Sequence, residues 1–214
     1  MWELKQLISL RDECLACRKC KIGGQMVDGK FLSNVFSNMN HTAKYIVCGQ
    51  NPGQLETEKK EPFVGISGKM FDQLVDEVLG MKRSDFYITN TVCCYTPGNR
   101  KPTVEEVDNC QTFLDREVRI LQPKLIISLG GPAFEQLTGM HGIMKHHGNP
   151  VFSPRYGRYV FPLLHPSPLN LNDPAKLEIF VADLLKLKEF IKKGEAEREN
   201  QNEEDCKRDS KATS

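Results

Sequence analysis

Two short loops and one strand end carry the side chains with the clearest chemistry. GQNPG at 49–53, followed by PFVG at 62–65, reads as a tight strand-to-helix connection that brings backbone and amides against a small ligand. Phe63 offers a stacking face, Asn51 can hold a water, and Gln50 and the Gly49 backbone lie beside it. His165-Pro166-Ser167-Pro168 closes the apolar run YVFPLL, so an imidazole is expected at the mouth of the same sheet. Asn90 ends the run FYITN, where its amide can donate and accept at once. Together these groups suit a pocket that grips a flat, polar ring. The blander readings are a core phenylalanine, a turn asparagine and a structural histidine. Pro62 and Gly65 around Phe63, Val92 and cysteines after Asn90, and Pro-Ser-Pro after His165 all weigh against them.

These groups need a scaffold. Four short apolar runs rich in β-branched residues, at 44–48, 86–92, 124–130 and 159–164, read as strands. Helical patterns lie between and around them, in WELKQLISLRDECLAC, SGKMFDQLVDEVL, PTVEEVDNCQTFLDREVRILQ and DPAKLEIFVADLLKLKEFIKK. Strands alternating with helices predict an α/β fold, a three-layer α/β/α sandwich around a mainly parallel four-stranded sheet. Ligand sites in such sheets form beyond the carboxyl ends of the strands, where GQNPG, CYTPGNRKPT and HPSP would meet.

The chain of 214 residues, 39% apolar, suits one compact domain over 1–193. From Gly194 to Ser214 the sequence is polar and lacks aromatic or branched aliphatic residues, so a disordered tail is expected. The net charge of +1 averages this acidic tail with a more basic body. No run of ~18 apolar residues suggests a membrane span and no basic-then-apolar leader opens the chain, which points to the cytosol, a nucleoid or a nucleus. Among eight cysteines, Cys14, Cys17 and Cys20 cluster near the start, and Cys94 and Cys110 follow the second strand. Without a secretory leader, metal binding or burial accounts for them better than disulfides. Zinc and an iron-sulfur cluster both fit such spacing. Cys48, Cys93 and Cys206 read as free thiols, and His141, His146 and His147 as surface or loop residues.

GQNPG…EPFVGISGKMFDQL, ITNTVCCYTPGNRKPTVEEVDNC and LLHPSPL, in this order, resemble the iron-sulfur (family 4) uracil-DNA glycosylases from about Cys14 to Ile191. The resemblance implies a monofunctional base-excision repair enzyme. It would hydrolyse the N-glycosidic bond of uracil in single- or double-stranded DNA and leave an abasic site, as a monomer. It also implies a [4Fe-4S] cluster on Cys94, Cys110 and two of the three N-terminal cysteines. Cys17 and Cys20 fit better than Cys14, because the resemblance places a Leu-like residue after the second cysteine with one residue between, as Ile22 stands here.

Carried over by position, Phe63 stacks on the flipped base, Asn90 reads its edge, His165 stabilises the departing anion, and Asn51 with Gln50 positions water. Pro166, Ser167 and the apolar wedge Leu169 enter the minor groove, and Arg100 and Lys101 meet phosphates. Lys59, Lys60 and the helix start at Ser67-Gly68 are further phosphate candidates, each with an ordinary solvated or capping alternative. The first loop departs from the family's GEAPG, having Gln50 and Asn51 and no carboxylate there, and LNLNDP lacks the family's arginine after HPSP. Two other readings follow: a related glycosylase acting on hypoxanthine or another deaminated or mismatched base, and a non-catalytic iron-sulfur protein that binds DNA.

Overall fold

The computed structural model describes the backbone of residues 2–27 and 29–212, and the side chains apart from 1, 27, 28, 30, 31 and 198–214. Cys206 therefore lies outside the described side chains. A helix α1 (Trp2–Ala16) opens the fold, and a small hairpin of β1 (Gln25–Val27) and β2 (Lys30–Leu32) follows. The central sheet contains β3 (Tyr45–Gly49), β4 (Phe86–Asn90), β5 (Leu125–Leu129), β6 (Val151–Ser153) and β7 (Arg158–Leu163), in the order β4-β3-β5-β7-β6. All pairings are parallel except that of β6 with β7.

The helices are α2 (Gln54–Lys59), α3 (Ile66–Leu79), α4 (Val104–Leu121), α5 (Gly131–Thr138), α6 (Pro168–Leu171) and α7 (Pro174–Ala212). Alternate strand residues feed two cores. Val47, Ile88 and Ile127 pack with Phe71 and Val75 of α3 and Phe180 and Leu184 of α7. Ile46, Tyr87 and Ile126 pack with Leu7 of α1, Leu114 of α4 and Phe134 of α5. The period-2 alternation of the strands thus supplies both faces of a three-layer sandwich. Each fully buried side chain of this size contributes about 1.5–3 kcal/mol of transfer free energy.

The mainly parallel sheet expected from the sequence is present, but it has five strands instead of four. The fifth, β6, is three residues long between Pro150 and Pro154, too short to show alternation. The boundary drawn at Gly194 falls inside α7, whose backbone continues to Ala212, and Glu195 accepts a hydrogen bond from Tyr45 Oη at 2.9 Å. Composition alone carries no information about such a contact. Among the described residues no helix is long and apolar enough to cross a membrane.

The strand order places the topological switch between β3 and β5, so the crevice for a ligand opens beyond Gly49 and Leu129.

Candidate active site

Gly49, Gln50 and Asn51 leave β3 pinned to the neighbouring strand end. Thr91 N donates to Gly49 O at 2.8 Å, Val92 N donates to Gln50 O at 2.9 Å, and Thr91 Oγ1 donates to the same oxygen at 2.8 Å. Gly49 must lack a side chain, since a Cβ there would come within 2.4 Å of Phe63 Cζ and 2.6 Å of Asn90 Oδ1. Gly49, Phe63 and Asn90 therefore meet at one point. Asn90 is 4% exposed, and neither its Oδ1 nor its Nδ2 has a hydrogen-bond partner. Burying both halves of an amide unsatisfied costs about 1–3 kcal/mol or more, a cost that a ligand with complementary groups removes.

Phe63 stands at φ +55°, in the left-handed region that a bulky residue rarely occupies. Three contacts hold it there. Arg83 donates from Nη2 to Pro62 O at 2.5 Å and from Nη1 to Phe63 O at 3.1 Å. The α3 backbone passes so close that a Cβ on Gly68 would lie 1.9 Å from Phe63 O. Glu56 Oε1 accepts from Gly65 N at 2.7 Å, closing the far end of the PFVG segment.

The cap of α3 is Gly65, and Ser67 lies inside the helix, neither capping it nor starting it. A Glu56 carboxylate already faces that helix start, so the phosphate role considered for Ser67-Gly68 meets a like charge. Its sequence signal was hidden, because Glu56 sits in an acidic and basic run that reads as a solvated surface.

Asn51 and Gln50 interact with each other: Gln50 Nε2 donates to Asn51 Oδ1 at 2.6 Å, and Asn51 Nδ2 donates to Pro52 O at 3.0 Å. The pair is therefore oriented. Across the crevice, His165 follows β7 and packs on Gly130, whose hypothetical Cβ would meet His165 Cβ at 3.3 Å. Gly130 has φ +89°, so both its conformation and its lack of a side chain admit the imidazole. Burial lowers the pKa of His165 below its ordinary value, which keeps the ring neutral at neutral pH. Ser167 N donates to His165 O at 2.8 Å and Asn170 Nδ2 donates to it at 2.9 Å, fixing the loop. Pro166 is buried, Ser167 caps α6, and Leu169 is 85% exposed at its outer surface.

Arg100 and Lys101 both have carboxylate partners. Both terminal nitrogens of Arg100 donate to Glu106, at 2.8 and 2.6 Å, and Glu106 also closes the capping box of α4 with Thr103. Arg100 thus serves the helix start. Lys101 is largely exposed and donates to Glu135 Oε2 at 2.9 Å. Lys59 and Lys60 are exposed. His147 also departs from a partnerless surface reading: its Nδ1 lies 2.6 Å from Oδ2 of the buried Asp183. His146 packs against Phe134, and His141 lies 3.5 Å from Glu135.

Six cysteines gather beside α1 and α4. Cys14, Cys17, Cys20, Cys93, Cys94 and Cys110 share one cluster with Leu10, Ile22 and Phe113. Burial, then the neighbouring Cys110 and Cys17, raise the Cys20 thiol to about 11. Burial, then Cys110, Cys20 and Cys17, push Cys94 up as well. Cys20 and Cys94 therefore sense Cys17 and Cys110 electrostatically, and Cys14, buried inside α1, senses Cys94 and Cys110 as well and hydrogen-bonds with Cys93. Asn34, which no sequence signal marked, holds the turn by donating from Nδ2 to Cys14 O at 2.6 Å and Cys17 O at 3.1 Å. Among the described residues no three His, Cys, Asp or Glu side chains stand as ligands of one metal ion. The all-thiol donor set suits soft-metal chemistry, and a bound cationic group would relieve the raised thiols by holding them as thiolates.

A mainly parallel sheet that brings an unpartnered amide, an aromatic ring and an imidazole to the carboxyl ends of its strands is the frame of an α/β enzyme. The chain belongs to the uracil DNA glycosylase superfamily, whose family model matches residues 36–186. Its relatives include proteins named type-4 uracil-DNA glycosylase. That of Saccharolobus solfataricus is 34% identical over 190 residues, covering 85% of each chain. That of Thermotoga maritima is 34% identical over 195 residues, covering 89% of this chain and 96% of its own. That of Sulfurisphaera tokodaii is 30% identical over 202 residues, covering 87% and 86%.

Proposed function

We propose that this protein excises uracil from DNA by hydrolysing its N-glycosidic bond, leaving an abasic site. The observation that carries the reading is the buried, unpartnered amide of Asn90 beside Phe63. Oδ1 accepts from the imide N–H of uracil and Nδ2 donates to the adjacent carbonyl, while Phe63 stacks on the ring. Cytosine presents an acceptor and an amino group at those positions, so it leaves both halves of the amide mismatched. The extruded nucleotide costs a few kcal/mol to unstack, least at a mispaired uracil.

As the glycosidic bond lengthens, negative charge grows on the base and positive charge on the sugar. Neutral His165 donates a hydrogen bond to the base carbonyl and stabilises that anion without transferring charge in the ground state. The Gln50-Asn51 pair orients a water towards the sugar cation, for which a weakly activated nucleophile suffices. Leu169, exposed at the crevice rim, fills the space that the base vacates in the minor groove, with Pro166 and Ser167 shaping its loop. Lys101, its long side chain largely solvent-accessible, contributes a phosphate contact.

Cys17, Cys20, Cys94 and Cys110 would hold a [4Fe-4S] cluster, which when bound ties the N-terminal segment to the loop after β4. Hydrolysis itself needs no redox step. The substrate is DNA containing uracil or another deaminated base, and a monomer suffices because the pocket is built from one chain.

A strand-cleavage assay after alkaline treatment tests the reading, with oligonucleotides bearing uracil, hypoxanthine, xanthine or cytosine. Release of uracil supports it. Release of hypoxanthine in preference to uracil replaces it with the related specificity, and binding without release replaces it with a DNA-binding role.

A further inference from the structure

Arg83 lies outside the pocket, in the short turn Arg83–Asp85 before β4, yet it grips the segment that carries the stacking ring. Its two terminal nitrogens take the carbonyls of Pro62 at 2.5 Å and Phe63 at 3.1 Å. The guanidinium is itself held by Glu61 at 3.2 Å and Asp72 at 3.4 Å. Asp72 sits on α3, the helix whose Gly68 passes beneath the same Phe63 carbonyl. The carbonyl of this aromatic residue with φ +55° is thus gripped from one side by a planar fork and closed off on the other by helix backbone.

We propose that Arg83 is a positioning residue for base excision, which holds Phe63 in its left-handed conformation and so fixes the ring at the height of the Asn90 amide. This rests on the reading of Phe63 as the stacking face. The physical reason is that a left-handed phenylalanine relaxes toward negative φ unless its surroundings forbid it. Rotation at that residue swings the ring away from Gly49, against which it now packs without room for a Cβ. A lysine carries the same charge but is a point donor and cannot span two carbonyls in one plane.

The test is a double-mutant cycle on single-turnover uracil excision, with melting temperature measured on the same samples. Arg83→Ala is expected to slow excision roughly tenfold to a hundredfold, the scale of an ångström-sized misplacement. Arg83→Lys is expected to recover little of it. In the Phe63→Ala background, Arg83→Ala is expected to cost nothing further in rate, although it still lowers the melting temperature.

Equal multiplicative losses in both backgrounds would overturn the inference, because a residue that merely supports the fold acts with or without the ring. So would full activity of Arg83→Ala, or full rescue by Arg83→Lys. Should Arg83→Ala fold poorly, Arg83→Lys measured in both backgrounds separates the same two outcomes. If Phe63→Ala alone excised uracil at the normal rate, the stacking role of Phe63 would fail instead, a result separable from failure of the Arg83 link.

Discussion

At the scale of single residues, the pocket is a set of neutral groups whose value comes from being kept away from water. Asn90 is left without partners inside the fold, and His165 is kept uncharged by burial. His165→Ala is expected to lower the single-turnover rate roughly a hundredfold to a thousandfold, as loss of one donor to a developing anion does elsewhere. Because its folded pKa lies below the unfolded value near 6.5, the folded protein binds fewer protons there than the unfolded chain. Stability from this group is complete above pH 6.5 and drains as the pH falls through the folded value. An NMR titration placing the His165 midpoint at or above 6.5 would contradict that assignment.

Phe63, Asn90 and His165 were legible because each sits at a strand end or between turn-forming residues, where a ring or amide has no local structural task. Glu56 and Arg83 were not. Both are charged residues in polar stretches, and nothing in their immediate neighbours tells that one accepts from the Gly65 amide ahead of α3 and the other grips two carbonyls. Arg100 has a partner that the sequence reading did not mark. A basic residue in a turn reads as a phosphate contact, and here Glu106 six residues on takes both terminal nitrogens. The bidentate pair, like the capping box that the same Glu106 forms with Thr103, depends on how the turn folds back.

At the scale of elements, the parallel strands deliver the chemistry to one edge. Gly49 and Asn90 end β3 and β4, Gly130 directly follows β5, and His165 follows β7 by two residues. The four parallel strands were legible because each is buried on both faces and reads as a continuous apolar run. The edge strand β6 and the eight-residue α5 were not, being too short for either period to show. The N-terminal element is the least self-sufficient. Its turn relies on Asn34, beside Cys20 and Cys94, whose thiols are raised first by burial and then by neighbouring cysteines.

Cys94→Ala or Cys17→Ala in anaerobically purified protein is expected to abolish the brown absorbance of a cluster and lower the melting temperature, while Cys14→Ala keeps the colour. Loss of colour in Cys14→Ala with retention in Cys20→Ala would reassign the ligand set.

At the scale of the whole molecule, the second core contains a group that the chemistry does not use. Glu117 on α4 is fully buried, and burial raises its pKa to about 8, offset in part by hydrogen bonds from Tyr87 Oη at 2.9 Å and Thr89 Oγ1 at 3.0 Å. With the folded value above the ordinary 4.5, the folded state binds more protons between pH 4.5 and 8. Its contribution is therefore present below pH 4.5 and is lost as the pH rises through 8, each unit of displacement being worth about 1.4 kcal/mol. Glu117→Gln is expected to flatten this loss, raising the melting temperature more at pH 8 than at pH 5. An equal change at both values would rule the assignment out. Composition showed that a core of this size can form, but no sequence pattern distinguishes a buried glutamate on α4 from its solvated neighbours.

The central claim is that one free amide decides which base leaves DNA. Single-turnover excision from uracil- and cytosine-bearing oligonucleotides measures it directly in the wild type, Asn90→Ala and Asn90→Asp. The wild type should release uracil and spare cytosine. Asn90→Ala should lose uracil release by roughly a hundredfold or more, and Asn90→Asp, whose protonated carboxyl complements an amino edge, should narrow the preference towards cytosine. Undiminished uracil release by Asn90→Ala, or a wild type that binds uracil-bearing DNA and leaves every glycosidic bond intact, would contradict it.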